Sequence, residues 1–216
     1  MKENTLSTVE ALASTIRQRA QGRERLIVAI AGAPGAGKST LAAELLAALP
    51  EGDAVVVPMD GFHYDDRVLQ PRGLRPRKGA PETFDFGGFH TLLRRIRAHD
   101  EDEIAIPVFD RSMELSRAGA EIVARQTRFV LVEGNYLLLD EAPWRTLAPL
   151  FDLRIMLDVP VATLEQRLVA RWRQHGKTDA EGLAWIRTND RPNIDRVLAN
   201  QMPADLVFRS HEADGR

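Results

Sequence analysis

Nine consecutive residues, Gly32-Ala33-Pro34-Gly35-Ala36-Gly37-Lys38-Ser39-Thr40, carry the densest chemistry in the chain. Their spacing is G-x-x-x-x-G-K-[ST], the phosphate-loop pattern of nucleotide-binding proteins. Gly32, Gly35 and Gly37 let the backbone curl so that successive N–H groups point inward at phosphate oxygens. Lys38 can reach the β- and γ-phosphates, and the Ser39 hydroxyl can hold Mg²⁺. Two carboxylates stand in contexts that fit the same chemistry. Asp60, in MDGFH, is placed to accept the proton of an attacking hydroxyl or to help hold Mg²⁺; an aspartate before glycine also caps turns. Glu133 ends the apolar run FVLVEG, the Walker B arrangement in which an acidic group holds the metal directly or through water, or else simply closes a strand. Arg167, Arg171 and Arg173 fall in RLVARWRQHGKTD, where they suit a lid that closes on a triphosphate; a solvated basic face is the other reading.

These groups need elements to position them. RLIVAIA (25–31) reads as a buried strand leading into the loop, and LAAELLAAL after it as a helix stopped by Pro50 and Gly52. Ala54–Val57, Phe129–Val132, Asp152–Val159 and Ala204–Phe208 read as further strands. Helices are expected from a capping box at Ser7–Glu10, from the cap Asp85, from Pro160 through Trp172, and from Asp179 to Asn200 with a break near Pro192. Glu103–Asp110 and Gly119–Gln126 form a candidate antiparallel hairpin, with Asp110, Arg111 and Arg117 near its loop and within reach of an acceptor. Asp65–Phe84 has no periodicity, three prolines and a series of basic residues including Arg77 and Lys78; it reads as a mobile flap over the acceptor. About five core strands alternating with helices give a mostly parallel sheet covered on both faces. The chain is expected to be one domain over 1–216, with flap (about 65–84), hairpin (about 103–126) and lid (about 167–180).

Composition narrows the field. The 216 residues are 44% hydrophobic and 28% charged, values of an ordinary globular domain, and the net charge of −2 gives no reason to expect nucleic acid or an anionic membrane as partner. No cysteine is present, which excludes disulfides, thiolate zinc sites and a cysteine nucleophile. The histidines at 63, 90, 99, 175 and 211 are too scattered for a metal site. The amino end is too polar for a signal peptide, and a cytoplasmic location is the expectation.

Taken in order, GAPGAGKST, MDGFH, KGAPETFD, PVFD followed by SR, LVEGNYLLL, DLRIMLDVP with its arginine-bearing helix, and ADLVF resemble the phosphoribulokinase/uridine kinase family of P-loop kinases, which includes the bacterial pantothenate kinases. Within it the chain looks most like members labelled fructose transport system kinase. The resemblance implies the three-layer α/β/α P-loop NTPase fold and ATP- and Mg²⁺-dependent phosphorylation of a hydroxyl on a sugar or similar small molecule, with uridine or pantothenate as the alternatives. By motif position Asp60 would be the base, Lys38 and Ser39 the phosphate and Mg²⁺ ligands, Glu133 an acid near the metal, and Arg167, Arg171 and Arg173 lid residues. The acceptor would be met by Asp60, His63, Arg77, Lys78, Asp110, Arg111, Arg117, Glu133 and Tyr136, with the protein acting alone or as a homodimer. A regulatory GTPase or an ATP-sensing module is the competing class. The guanine-reading Asn/Thr-Lys-x-Asp is matched only loosely, by Gly176-Lys177-Thr178-Asp179. Asp85-Phe86-Gly87 imitates the protein-kinase magnesium motif without the rest of that set.

Overall fold

Continuous apolar runs, unlike alternating ones, mark strands covered on both faces, and both Leu26–Ala31 and Phe129–Gly134 are buried at every residue. A computed structural model describes residues 5–209. In chain order its elements are β1 (Thr5–Leu6), α1 (Val9–Arg19), β2 (Leu26–Ala31), α2 (Lys38–Ala48), β3 (Ala54–Pro58), α3 (Asp66–Leu69), α4 (Phe86–Ala98), β4 (Glu103–Asp110), β5 (Leu115–Ala124), β6 (Phe129–Gly134), β7 (Leu153–Leu157), α5 (Val161–Gln174), α6 (Asp179–Trp185), α7 (Arg191–Ala199) and β8 (Leu206–Phe208). The main sheet has the order β1-β8-β7-β2-β6-β3 and is parallel throughout. It is the core of a three-layer α/β/α fold, with β4 and β5 forming a separate antiparallel hairpin.

Register decides what the sheet delivers. Ile30 pairs with Glu133 and Ala31 with Gly134, while Pro58 on the far side also pairs with Glu133. The carboxyl ends of β2, β6 and β3 therefore lie side by side, the place where open α/β sheets bind ligands. Helix α2 packs on β3 and β6, and on α1. Helix α4, whose apolar residues Phe89, Leu92, Leu93 and Ile96 are all buried, packs against β4 and against the short turn Met59–Phe62 that follows β3.

Several boundaries differ from expectation, each for a local reason. The sheet has six strands rather than about five, because the two-residue β1 adds to β8 through Thr5↔Val207 and Leu6↔Phe208; two residues are too few for a readable pattern. Thr8, not Ser7, caps α1, its side chain accepting from Ala11 N–H. The second hairpin strand begins at Leu115, well before Gly119. Segment 65–84 is no featureless loop. It folds into α3 and two 3₁₀ turns, Arg75–Arg77 and Pro81–Thr83, with Leu69, Lys78, Ala80 and Thr83 buried. Elements of three or four residues leave no periodicity to detect. The helical stretch from Asp179 continues to Ala199 and carries its irregularity as a π turn at Ile186–Asp190, just ahead of Pro192 in the first turn of α7.

Candidate active site

The loop between β2 and α2 adopts the conformation its glycines permit. Gly35 and Gly37 have φ of 84° and 90°, in the left-handed region. A Cβ on Gly35 would also come within 3.0 Å of the Leu164 carbonyl on α5, so the loop is clasped by that helix. Arg167 of α5 adds a bond from Nη1 to the Ala36 carbonyl at 3.2 Å. Lys38 opens α2 with its side chain folded back into the loop, Nζ donating to the Ala33 carbonyl at 3.0 Å. Burial lowers its pKa to about 8, with Glu133 and Asp60 opposing the shift and Arg171 and Arg111 adding to it. A buried ammonium bonded to one carbonyl, within a cradle of backbone N–H groups, is a site built for an anion.

Two carboxylates face this cradle. Glu133, at the end of β6, accepts from the Ser39 hydroxyl at 3.1 Å. Asp60 lies in the turn Met59–Phe62, where it is held from outside: a Cβ on Gly61 would run into the Pro107 carbonyl of β4, so the hairpin rests directly on this turn. Arg111 Nη2 donates to Asp60 Oδ2 at 2.7 Å, and His63 Nε2 lies 3.8 Å from Oδ1. The environments push the two acids apart. Burial raises the Glu133 carboxyl and the nearby charge of Asp60 raises it further. Burial alone would raise Asp60 too, but its interaction with the nearby His63 ring and the charges of Arg111, Lys38 and Arg171 outweigh it and hold that carboxyl below its ordinary value. Such a split is how one site assigns separate roles to two carboxyls.

Magnesium fits here on chemical grounds. The paired oxygens of Ser39 and Glu133 are hard donors, and the described residues hold no group of three or more His, Cys, Asp or Glu that would bind a metal unaided. Mg²⁺ is commonly held by one or two protein oxygens together with substrate phosphates.

A narrow cleft, with a cavity volume of about 150 Å³, opens over these groups. Of the expected acceptor residues it contains Asp60, His63, Lys78, Arg111 and Glu133, and it adds Arg171 from α5. Arg171 has no acidic partner at ion-pair distance among the described residues; burial lowers its pKa and Arg111 lowers it further. His63 stacks on Phe84 at 4.0 Å with Nδ1 buried and unbonded, and burial lowers its pKa to about 4, so the ring is neutral at pH 7. Lys78 Nζ bonds Asp66 Oδ1 at 2.9 Å and the Glu114 carbonyl at 3.1 Å.

Other expected residues lie elsewhere. Tyr136 is fully buried behind the cleft and its hydroxyl donates to the Gly79 carbonyl, a structural bond that pins segment 65–84. Arg77 performs a similar task, bonding the Thr188 carbonyl, Asn189 Oδ1 and Asn193 Oδ1. Asp110 caps the hairpin turn through Ser112 and Met113, and Arg117 faces it at 3.5 Å in solvent. Arg173 forms a two-pronged exposed pair with Asp179. Thr40 and Arg167, with Gly37, line a second cavity on the other side of the loop. Arg75, one of the basic residues of the expected flap, lines the cleft too, and the sequence did not mark Glu114, Asn135, Asp190, Trp172 or Trp185, which also line it. Only Asn135, directly after the Glu133-Gly134 pair, had a readable signal.

With this geometry in hand, similarity to known proteins is informative. The AAA domain family matches residues 26–191. A crystal structure described as a "putative fructose transport system kinase" from Silicibacter sp. TM1040 is 45% identical, covering 94% of this chain and 99% of its own, with a TM-score of 0.85. A Schizosaccharomyces pombe protein named "Putative uridine kinase C227.14" is 34% identical over 197 residues, 87% of this chain and 84% of that protein. A Streptomyces avermitilis "Pantothenate kinase" is 30% identical over 167 residues, 73% of this chain and half of that longer protein.

Proposed function

We propose, because the chain belongs to the AAA domain family of P-loop proteins and to the P-loop kinases that include relatives named uridine kinase and pantothenate kinase, that it transfers the γ-phosphoryl group of ATP to a hydroxyl of a sugar or similar metabolite. One observation carries this reading: a phosphate loop, an ionised aspartate and a loop-side glutamate surround a single cleft at the carboxyl ends of adjacent parallel strands.

The chain's own groups divide the work. Backbone N–H groups of residues 32–40 and the Lys38 ammonium grip the β- and γ-phosphates, and the cavity holding Thr40 and Arg167 takes the nucleoside end. Ser39 and Glu133 would hold Mg²⁺, which when bound supplies charge neutralisation to the phosphates. Asp60 orients the acceptor hydroxyl and takes its proton as the oxygen attacks the γ-phosphorus and the bond to the β-γ bridging oxygen breaks, that electron pair leaving with ADP. Arg171 and Lys38 stabilise the charge spread over the moving phosphoryl group. Arg111 holds Asp60 Oδ2 in this structure, which leaves Oδ1, with His63 Nε2 3.8 Å away, to meet the acceptor hydroxyl.

Guanine reading by Lys177-Thr178-Asp179 has little support. Thr178 and Glu181 form the capping box of α6, and Asp179 is engaged by Arg173. Among the described residues no helix is long and apolar enough to cross a membrane; a cytoplasmic place and a small-molecule partner go with the reading. Measuring ATP consumption against sugars, nucleosides and pantothenate tests it: product formation with one of them is expected, and hydrolysis that no acceptor accelerates refutes it.

A further inference from the structure

Asp190 has no part in the phosphoryl transfer described above, yet it sits in the wall of the cleft at the end of the π turn Ile186–Asp190, only 9% exposed. Its Oδ2 accepts from the Trp172 indole N–H at 2.8 Å. Among the described residues its other oxygen has no hydrogen-bond partner, and no lysine, arginine or histidine stands at ion-pair distance from the carboxylate. Burial raises this carboxyl, with the indole bond and the more distant charge of Arg171 opposing the shift. An unpaired carboxylate in a wall is costly to keep, and isolated π turns recur at functional positions.

The surroundings say what would meet it. Trp172 and Trp185 line the same cleft, edge to face with centroids 5.7 Å apart. The cations nearby are already engaged: Arg111 is paired with Asp60, and Lys177, in the adjoining cavity, lies 5.5 Å and 5.3 Å from the ring centroids of Trp172 and Trp185. Arg75 and Lys78 are neutralised by Asp66, and Lys78 by Glu114 as well. Lys38 and Arg171 face the phosphates in the kinase reading. Once these are spoken for, the groups left for an acceptor on this wall are indole faces and a hydrogen-bond-accepting anion. A molecule with apolar C–H faces and hydroxyl edges fits that pairing, while a carboxylate or phosphate on the acceptor would be repelled.

We propose that Asp190 is the specificity-determining residue of the acceptor subsite, its free oxygen accepting hydrogen bonds from hydroxyls of a neutral polyhydroxylated acceptor seated against Trp172 and Trp185, and its charge turning away anionic acceptors. The proposal rests on the kinase reading and narrows it, since that reading alone leaves sugar, nucleoside and pantothenate open.

Asp190→Asn is the test, because an amide keeps an oxygen for the Trp172 indole and so preserves any purely structural role. Calorimetric titrations of D-fructose, uridine, D-glycerate and pantothenate would be made into wild type and variant saturated with a non-hydrolysable ATP analogue, followed by steady-state kinetics on any acceptor that binds. Wild type is expected to bind D-fructose or uridine at least tenfold more tightly than either anion. The variant is expected to lose at least tenfold of that affinity, about 1.4 kcal/mol, and to narrow the discrimination against anions. Acceptor KM should rise by the same factor while kcat changes less than about threefold. Wild-type preference for glycerate or pantothenate, an unchanged neutral-acceptor affinity in the variant, or binding of none of the four overturns the proposal. Failure of the ATP analogue itself to bind overturns the kinase reading instead, and the proposal with it.

Discussion

Replacing Gly61 with alanine should damage both stability and turnover, and the size of each effect follows from one close approach. The atoms a Cβ would meet are the carbonyl carbon and oxygen of Pro107, which are main chain and cannot rotate aside. Relief requires either the hairpin or the turn Met59–Phe62 to shift. Overpacking of this kind costs about 1–3 kcal/mol, and for a domain of this size each kcal/mol lowers Tm by roughly 2–4 °C. Gly61→Ala should therefore melt about 2–12 °C below wild type in a calorimetric scan. The turn that must move carries Asp60, and misplacing a reacting group by about 1 Å can cost 10²-fold; kcat with a productive acceptor should fall by about that factor. Gly87→Ala is the control. It sits in the first turn of α4, where the nearest atom to an added Cβ is 3.7 Å away, and alanine there should hold or raise Tm, gaining up to about 1 kcal/mol. A Gly61→Ala protein that melts and turns over like wild type would refute the idea that the hairpin fixes the aspartate.

Other consequences concern the phosphate site. With its pKa lowered to about 8, free Lys38 loses its charge as pH rises past that value, whereas ATP is already fully ionised. Nucleotide affinity should be roughly level near pH 7, about halved at pH 8 and about tenfold weaker by pH 9, in a fluorescent-analogue titration; a flat profile through pH 9 contradicts the burial argument. Glu133→Gln should raise the Mg²⁺ concentration for half-maximal turnover by about 10–100-fold, as loss of groups that orient a metal generally does, and an unchanged Mg²⁺ requirement would remove Glu133 from the metal's surroundings.

Sequence and structure agree where long apolar runs and motif spacing do the specifying. The loop Gly32–Thr40, the strands on either side of it and the placement of Asp60 and Glu133 at strand ends were all legible, because parallel strands buried on both faces have few ways to be arranged. Acceptor-side residues were not. Tyr136 and Arg77 look like binding groups in sequence, yet their polar atoms are spent on pinning segment 65–84. That segment holds itself together with elements too short to show a period, and Lys78 is drawn inward by Asp66, twelve residues away. Asp190 and its indole partner come together only because α5 packs against the π turn before α7, a tertiary event with no local signature. Arg173, by contrast, was grouped with its neighbours by spacing alone, and a local partner, Asp179, takes it away from the cleft.

The most direct measurement pairs turnover with nucleotide affinity in Asp60→Asn. Removing a general base costs roughly 10²–10⁴ in rate, so kcat should fall by that much while ATP-analogue affinity stays close to wild type. Turnover that survives the substitution would mean that the carboxylate opposite the phosphate loop does not take the acceptor's proton.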